Sequence, residues 1–137
     1  MKPEPPPGFW RARWKSFACA GRGVIVLIRT QVNVRIHLLA TAAVIAAGVA
    51  FHIARGEWVP LTLAIGIVWI AEAANTAIEF LADRNTREHD EQIRRAKDIA
   101  AGGVLLAAIA ATIIGILVLG PHAWAFLCGV FRKSPST

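Results

Sequence analysis

A chain of 137 residues has the size of one domain, yet 55% of it is hydrophobic and its mean hydropathy is +0.51, too apolar for a soluble domain. Against that stand 15 Lys and Arg and 9 Asp and Glu, a formal net charge of +6. Basic charge beside apolar runs points to anionic lipid and cytoplasmic loops. Nucleic-acid binding, which wants basic residues spread through a soluble fold, is excluded as a reading.

Residues 1–8 are Pro-rich and read as a disordered leader; they cannot form the apolar region of a signal peptide, so later segments must act as uncleaved membrane signals. Residues 9–29 follow, with Phe9, Trp10, Trp14 and Phe17 at helical spacing and Arg11, Lys15 and Arg22 among them. This pattern predicts a basic amphipathic helix lying in the membrane interface. Three stretches, about 36–54, 58–82 and 99–119, are each long enough to cross a hydrocarbon layer of roughly 30 Å. Arg55-Gly56-Glu57 reads as the tight turn between the first two, 84–98 as a charged link, and 120–137 as an interfacial tail carrying Trp124, Phe126 and Phe131. The expected fold class is therefore all-α integral membrane: an N-terminal surface helix plus three transmembrane helices.

Lys2, Arg11, Arg13, Lys15, Arg22, Arg29 and Arg35 precede the first span, and Arg84, Arg87, Arg94, Arg95 and Lys97 lie in the link after the second. Only Arg55, Arg132 and Lys133 fall on the other side. The positive-inside bias then predicts a cytoplasmic N-terminus and 84–98 link, with the C-terminus outside. Cys19 and Cys128 sit near opposite ends of the chain without metal-ligand spacing and read as small apolar residues.

The chemistry concentrates in the second span. At about 100° per residue, Glu72, Glu79 and Asp83 fall within roughly 40° of one another, and Asn75 within roughly 80° of all three. Ionisable groups are costly in a membrane, so a row of them on one helix face signals function; interhelical hydrogen bonding accounts for Asn75 alone but not for the set. Carboxylate and amide oxygens suit a hard cation such as Mg²⁺. Joined to a positive charge, they also suit phosphoryl transfer, which depends on positioning and charge neutralisation. Lys97, beside Asp98 at the start of the third span, is that charge, folded back toward Glu79 and Asp83 by the link. No phosphate-binding Gly loop and no protein-kinase signature set is present; Gly102 and Gly103 read as helix-packing positions. His37 and His52 stay outside the catalytic set: an interfacial histidine is more often structural, and His52 is far from the proposed chemistry.

The run Glu72-Ala-Ala-Asn75-Thr-Ala-Ile-Glu79-Phe-Leu-Ala-Asp83, followed by Ala96-Lys97-Asp98-Ile-Ala-Ala-Gly102, resembles the signature of the prokaryotic diacylglycerol kinase family, small membrane lipid kinases that include undecaprenol kinases. Ser16-Phe17, Gly23, Arg29-Thr30, Asn33-Val-Arg35-Ile-His37 and Glu57-Trp58 come in the family's order, and the likeness covers roughly residues 9–119. The resemblance implies a homotrimer in the bacterial inner membrane that transfers the γ-phosphate of ATP to a membrane lipid alcohol. It implies Glu72 as general base, Glu79 holding Mg²⁺, Asn75 orienting groups beside it, and Lys97 neutralising phosphate charge. Asp83, Glu88, His89, Asp90 and Asp98 would line the nucleotide site. The family usually carries Glu where this chain has Gln31, so the metal site keeps an oxygen ligand but loses a charge; relatives also commonly have Tyr-His at His89-Asp90. The NVRIH and AKDIAAG segments look more like the undecaprenol than the diacylglycerol branch. The alternatives are a catalytically weak or inactive structural homologue, favoured by Gln31, and a small ion- or proton-conducting protein using Glu72 and Glu79.

Overall fold

A computed structural model describes residues 8–85 and 90–132, which form four helices and no strand: α1 Phe9–Thr30, α2 Val32–Ala50, α3 Arg55–Asn85 and α4 Glu91–Arg132. Residues 1–7, all but the last of the expected leader 1–8, lie outside the described part. Helices α2, α3 and α4 are each long and apolar enough to cross a membrane, over Val32–Ala50, Arg55–Arg84 and Glu91–Gly129.

Helix α1 follows its sequence pattern. Trp10, Trp14 and Phe17 are exposed together, Arg13 stacks over the Phe9 ring, and only Leu27 is buried. An unburied aromatic and basic face is what an interfacial helix presents to lipid. A single extended residue, Gln31 (φ −103°, ψ 123°), separates α1 from α2. Its N–H closes α1 on the Leu27 carbonyl, while its side chain turns toward α3 instead of capping α2.

The turn between α2 and α3 lies earlier than the sequence predicts. Helix α2 stops at Ala50, and His52 adopts a left-handed conformation (φ 52°). Glu57 Oε2 then accepts the Ala54 N–H at 2.7 Å while the Glu57 N–H donates to the Ala54 carbonyl, the reciprocal pairing that starts a helix. Arg55-Gly56-Glu57 is thus the first turn of α3, not the connection. Gly48 permits the hairpin to close: a Cβ there would meet Trp58 Cη2 at 2.7 Å. Further along, Trp69 Nε1 donates to Thr41 Oγ1 (3.1 Å), which donates to the His37 carbonyl (2.7 Å), pinning the register of the antiparallel pair.

Helix α3 is the most buried of the three spans. Its inward stripe runs Leu61, Ala64, Val68, Glu72, Asn75 and Thr76, apolar in its first half and polar in its second. Helix α4 packs most extensively on α3. It begins at Glu91 because Asp90 Oδ1 accepts the Gln92 N–H, well inside the segment expected to be a link. It also continues through Pro121 to Arg132, where the sequence reading ended the span at about 119. Contacts past the proline hold it: His122 Nε2 lies 2.9 Å from Glu57 Oε1, and the Phe126 ring packs on Phe51 at 6.0 Å. Among α2, α3 and α4 lies an apolar cavity of about 580 Å³, with His37, Thr41, Val68, Thr112 and Ala123 on its wall.

Candidate active site

The site grows from the point where the α3 stripe changes character. Glu72 is 2% exposed, Asn75 7% and Thr76 4%. Glu72 Oε2, Asn75 Oδ1 and Thr76 Oγ1 are all buried without a hydrogen-bond partner. Each such atom costs about 1–3 kcal/mol, and native proteins rarely tolerate several together. Three within five residues describe a surface built to be completed by another molecule. Val68, on the wall of the apolar cavity, is one helical turn before Glu72 on the same face of α3.

Beyond Glu72 the polar groups are connected. Glu79 receives Asn75 Nδ2 at 3.0 Å on one oxygen and Gln31 Nε2 at 3.3 Å on the other. The extended conformation of Gln31 delivers that side chain from the α1–α2 junction. Asp83 pairs with Lys97 Nζ at 2.9 Å across the α3–α4 interface. The structure therefore brings together Glu72, Asn75, Glu79 and Asp83 along one face of α3, with Gln31 from one side and Lys97 from the other.

The remaining expected residues fare differently. Asp98 is tied to Arg94 at 2.9 Å, and Glu91 accepts both Arg94 and Arg95, a surface network on α4. Asp90 is exposed and caps α4. Glu88 and His89 lie outside the described residues. Two side chains absent from the sequence-based set join the site: Thr76, four residues after Glu72 on the same face, and His37, on the cavity wall and near enough to act electrostatically on Glu72. The four-residue spacing could have found Thr76; His37 depends on helix register.

No group of three or more His, Cys, Asp or Glu that could hold a metal ion occurs among the described residues. The donor set around Glu79 is one carboxylate and two amides, hard oxygen ligands after rotation of the amides, with the orphaned Asn75 Oδ1 already among them. This fits a Mg²⁺ ion that arrives with phosphate oxygens better than one held by protein alone.

A carboxylate row on one face of α3, buried at Glu72, half-buried at Glu79 and exposed at Asp83, within helices of membrane-crossing length marks a candidate membrane enzyme site, and comparison with known proteins identifies its kind. The model of the prokaryotic diacylglycerol kinase family matches residues 18–119, and the chain belongs to that family. The chain is 39% identical over 108 residues to the undecaprenol kinase of Bacillus subtilis (strain 168), covering 79% of this chain and 88% of that one. It is 42% identical over 107 residues to the diacylglycerol kinase of Synechocystis sp., covering 77% and 61%. A 62-residue stretch is 39% identical to the diacylglycerol kinase of Escherichia coli (strain K12), covering 45% and 51%. The protein is a membrane lipid kinase.

Proposed function

We propose that this chain phosphorylates undecaprenol, with diacylglycerol as a lesser acceptor, using ATP and Mg²⁺ at the cytoplasmic face of the bacterial inner membrane. The observation that carries the reading is Glu72: a buried carboxylate with an unpartnered oxygen, one helical turn along α3 from Val68 on the wall of an apolar cavity. A lipid alcohol has the matching form, a long apolar tail ending in one hydroxyl. The choice of undecaprenol is supported by the match to nearly the whole length of the Bacillus subtilis relative, against about half to three-fifths of the diacylglycerol kinases.

In this mechanism Glu72 takes the hydroxyl proton as the acceptor oxygen attacks the γ-phosphorus. The bond from that phosphorus to the β,γ-bridging oxygen breaks, and ADP leaves. Lys97, released from Asp83 or shared with it, neutralises the phosphate charge. Glu79, Asn75 and Gln31 would hold Mg²⁺, which draws charge from the phosphate oxygens when bound. Asp83, Asp98, Asp90, Glu88 and His89 would line the nucleotide. The homotrimer, the cytoplasmic N-terminus and the outer C-terminus are part of the same proposal and rest on the family resemblance and the count of basic residues.

The test is transfer of labelled γ-phosphate from ATP to undecaprenol and to diacylglycerol in Mg²⁺-containing micelles, native against Glu72→Gln. Labelling that is lost in the variant is expected, with undecaprenol the better acceptor. No labelling of either lipid by folded protein would reject the kinase reading for this chain and leave an inactive family member, the alternative that Gln31 favours.

A further inference from the structure

A general base must lose its proton before the next turnover. Glu72 is 2% exposed, and bulk water does not reach it. The hydrogen-bonded pair Thr41 and Trp69 sets α2 against α3. In antiparallel helices, a register that places 41 opposite 69 places 37 opposite 73, beside Glu72. Trp69, three residues before Glu72, is also its neighbour on the helix surface. The Thr41 hydroxyl fixes this turn of α2 by bonding the His37 carbonyl. His37 is half-exposed, acts electrostatically on Glu72, and is the one titratable side chain on the wall of the apolar cavity.

Few ionisable groups among the described residues face this turn of α2. On α3 the ionisable side chains near this level are Glu72 and, two turns on, Glu79, which is engaged by Gln31 and Asn75. Helix α4 offers the same wall only Ala108, Ala111 and Thr112 at this end. On α2 itself Arg35 bonds the Arg29 carbonyl.

We propose that His37 is the proton outlet of Glu72: the carboxyl formed when the acceptor hydroxyl gives up its proton passes that proton to the neutral imidazole, which releases it to water. The inference rests on the lipid-kinase mechanism above. Each turnover then converts ATP and lipid alcohol to ADP, lipid phosphate and one proton, with both side chains returned to their starting states. In this proposal His37 acts through Glu72 and not on the phosphate, so it is a positioning and proton-handling residue.

The experiment compares native protein, His37→Gln and His37→Ala in labelled phosphate transfer across pH, with and without added imidazole. His37→Gln is expected to lower turnover on the order of tenfold, leave KM for the lipid unchanged, and alter the acid limb of the pH–rate profile. Free imidazole is expected to restore His37→Ala several-fold, a rescue that a packing role would not allow. Unchanged turnover and profile in His37→Gln, or a loss that imidazole leaves untouched, would overturn the proposal. Infrared spectroscopy reads the same coupling without turnover. The Glu72 carboxyl stretch, identified by its absence in Glu72→Gln, is expected to titrate at a different pH in His37→Gln. If native protein labels no lipid, the kinase reading fails by itself, and an unmoved infrared band then rejects the His37–Glu72 coupling separately.

Discussion

The two ends of α3 are built on opposite plans. At the Glu57 end the carboxylate is matched on both oxygens: Glu57 caps Ala54 with one and meets His122 with the other. Trp58 lies against Gly48, and Phe51 against Phe126. At the Glu72–Asp83 end three buried polar atoms have no partner, and the one interhelical ion pair there, Asp83 with Lys97, is largely exposed. One end spends its side chains on holding shape, and the other holds polar groups ready for a ligand. Damage at the first should therefore appear in stability, and damage at the second in turnover.

The sharpest break in that contrast comes from Glu72→Gln, which is expected to cut phosphate transfer by about 10³-fold while circular dichroism and melting stay near native. A loss under tenfold would remove Glu72 as the base. Next, Lys97→Met is expected to reduce turnover by about a hundredfold with little change in melting, because exposed pairs contribute little to stability. A large melting shift without loss of turnover would make Lys97 a structural clamp. At the other end, Gly48→Leu forces a side chain into Trp58 and is expected to destabilise by about 1–3 kcal/mol in micelle unfolding. Activity per folded molecule should be unchanged, and restored stability in Gly48→Leu/Trp58→Ala would trace the effect to that contact. His122→Ala should lower the melting temperature only slightly and leave turnover alone; a fall in turnover would join the two ends functionally. The smallest effect is expected from Gln31→Glu, which adds a charge beside Glu79 and should reduce the Mg²⁺ needed for half-maximal activity a few-fold. An unchanged Mg²⁺ titration would take Gln31 out of the metal site.

The three long helices and the polar stripe on α3 were readable because apolar length and a 3.6-residue period are properties of the chain itself. The same arithmetic put Glu72, Glu79 and Asp83 on one face, and the closeness of Lys97 to Asp83 followed from the short connection. What escaped depends on tertiary partners. Arg55-Gly56-Glu57 reads as a turn from its polarity, and only the bond of Glu57 to Ala54 makes it the start of a helix. Gly120-Pro121 reads as a stop, yet His122 and Phe126 find partners on the α2–α3 turn and the helix continues. His37 could not be tied to Glu72 without the Thr41–Trp69 bond that sets the register. The local bonds of Asp90 and Asp98, grouped with the nucleotide site by motif, were also not legible: Asp90 caps α4 and Asp98 pairs with Arg94.

The pairs Asp83–Lys97 and Glu57–His122 join α3 to α4 at two places separated by 25 residues of α4, or about 37 Å of helix. That distance exceeds a hydrocarbon layer of roughly 30 Å, so the two fasteners cannot both lie within it. Helices fastened at both ends resist sliding past each other. In a thinner bilayer the α3–α4 pair would meet the mismatch by tilting as one rod, and the spacing between its two ends would stay constant while their height above the lipid changes.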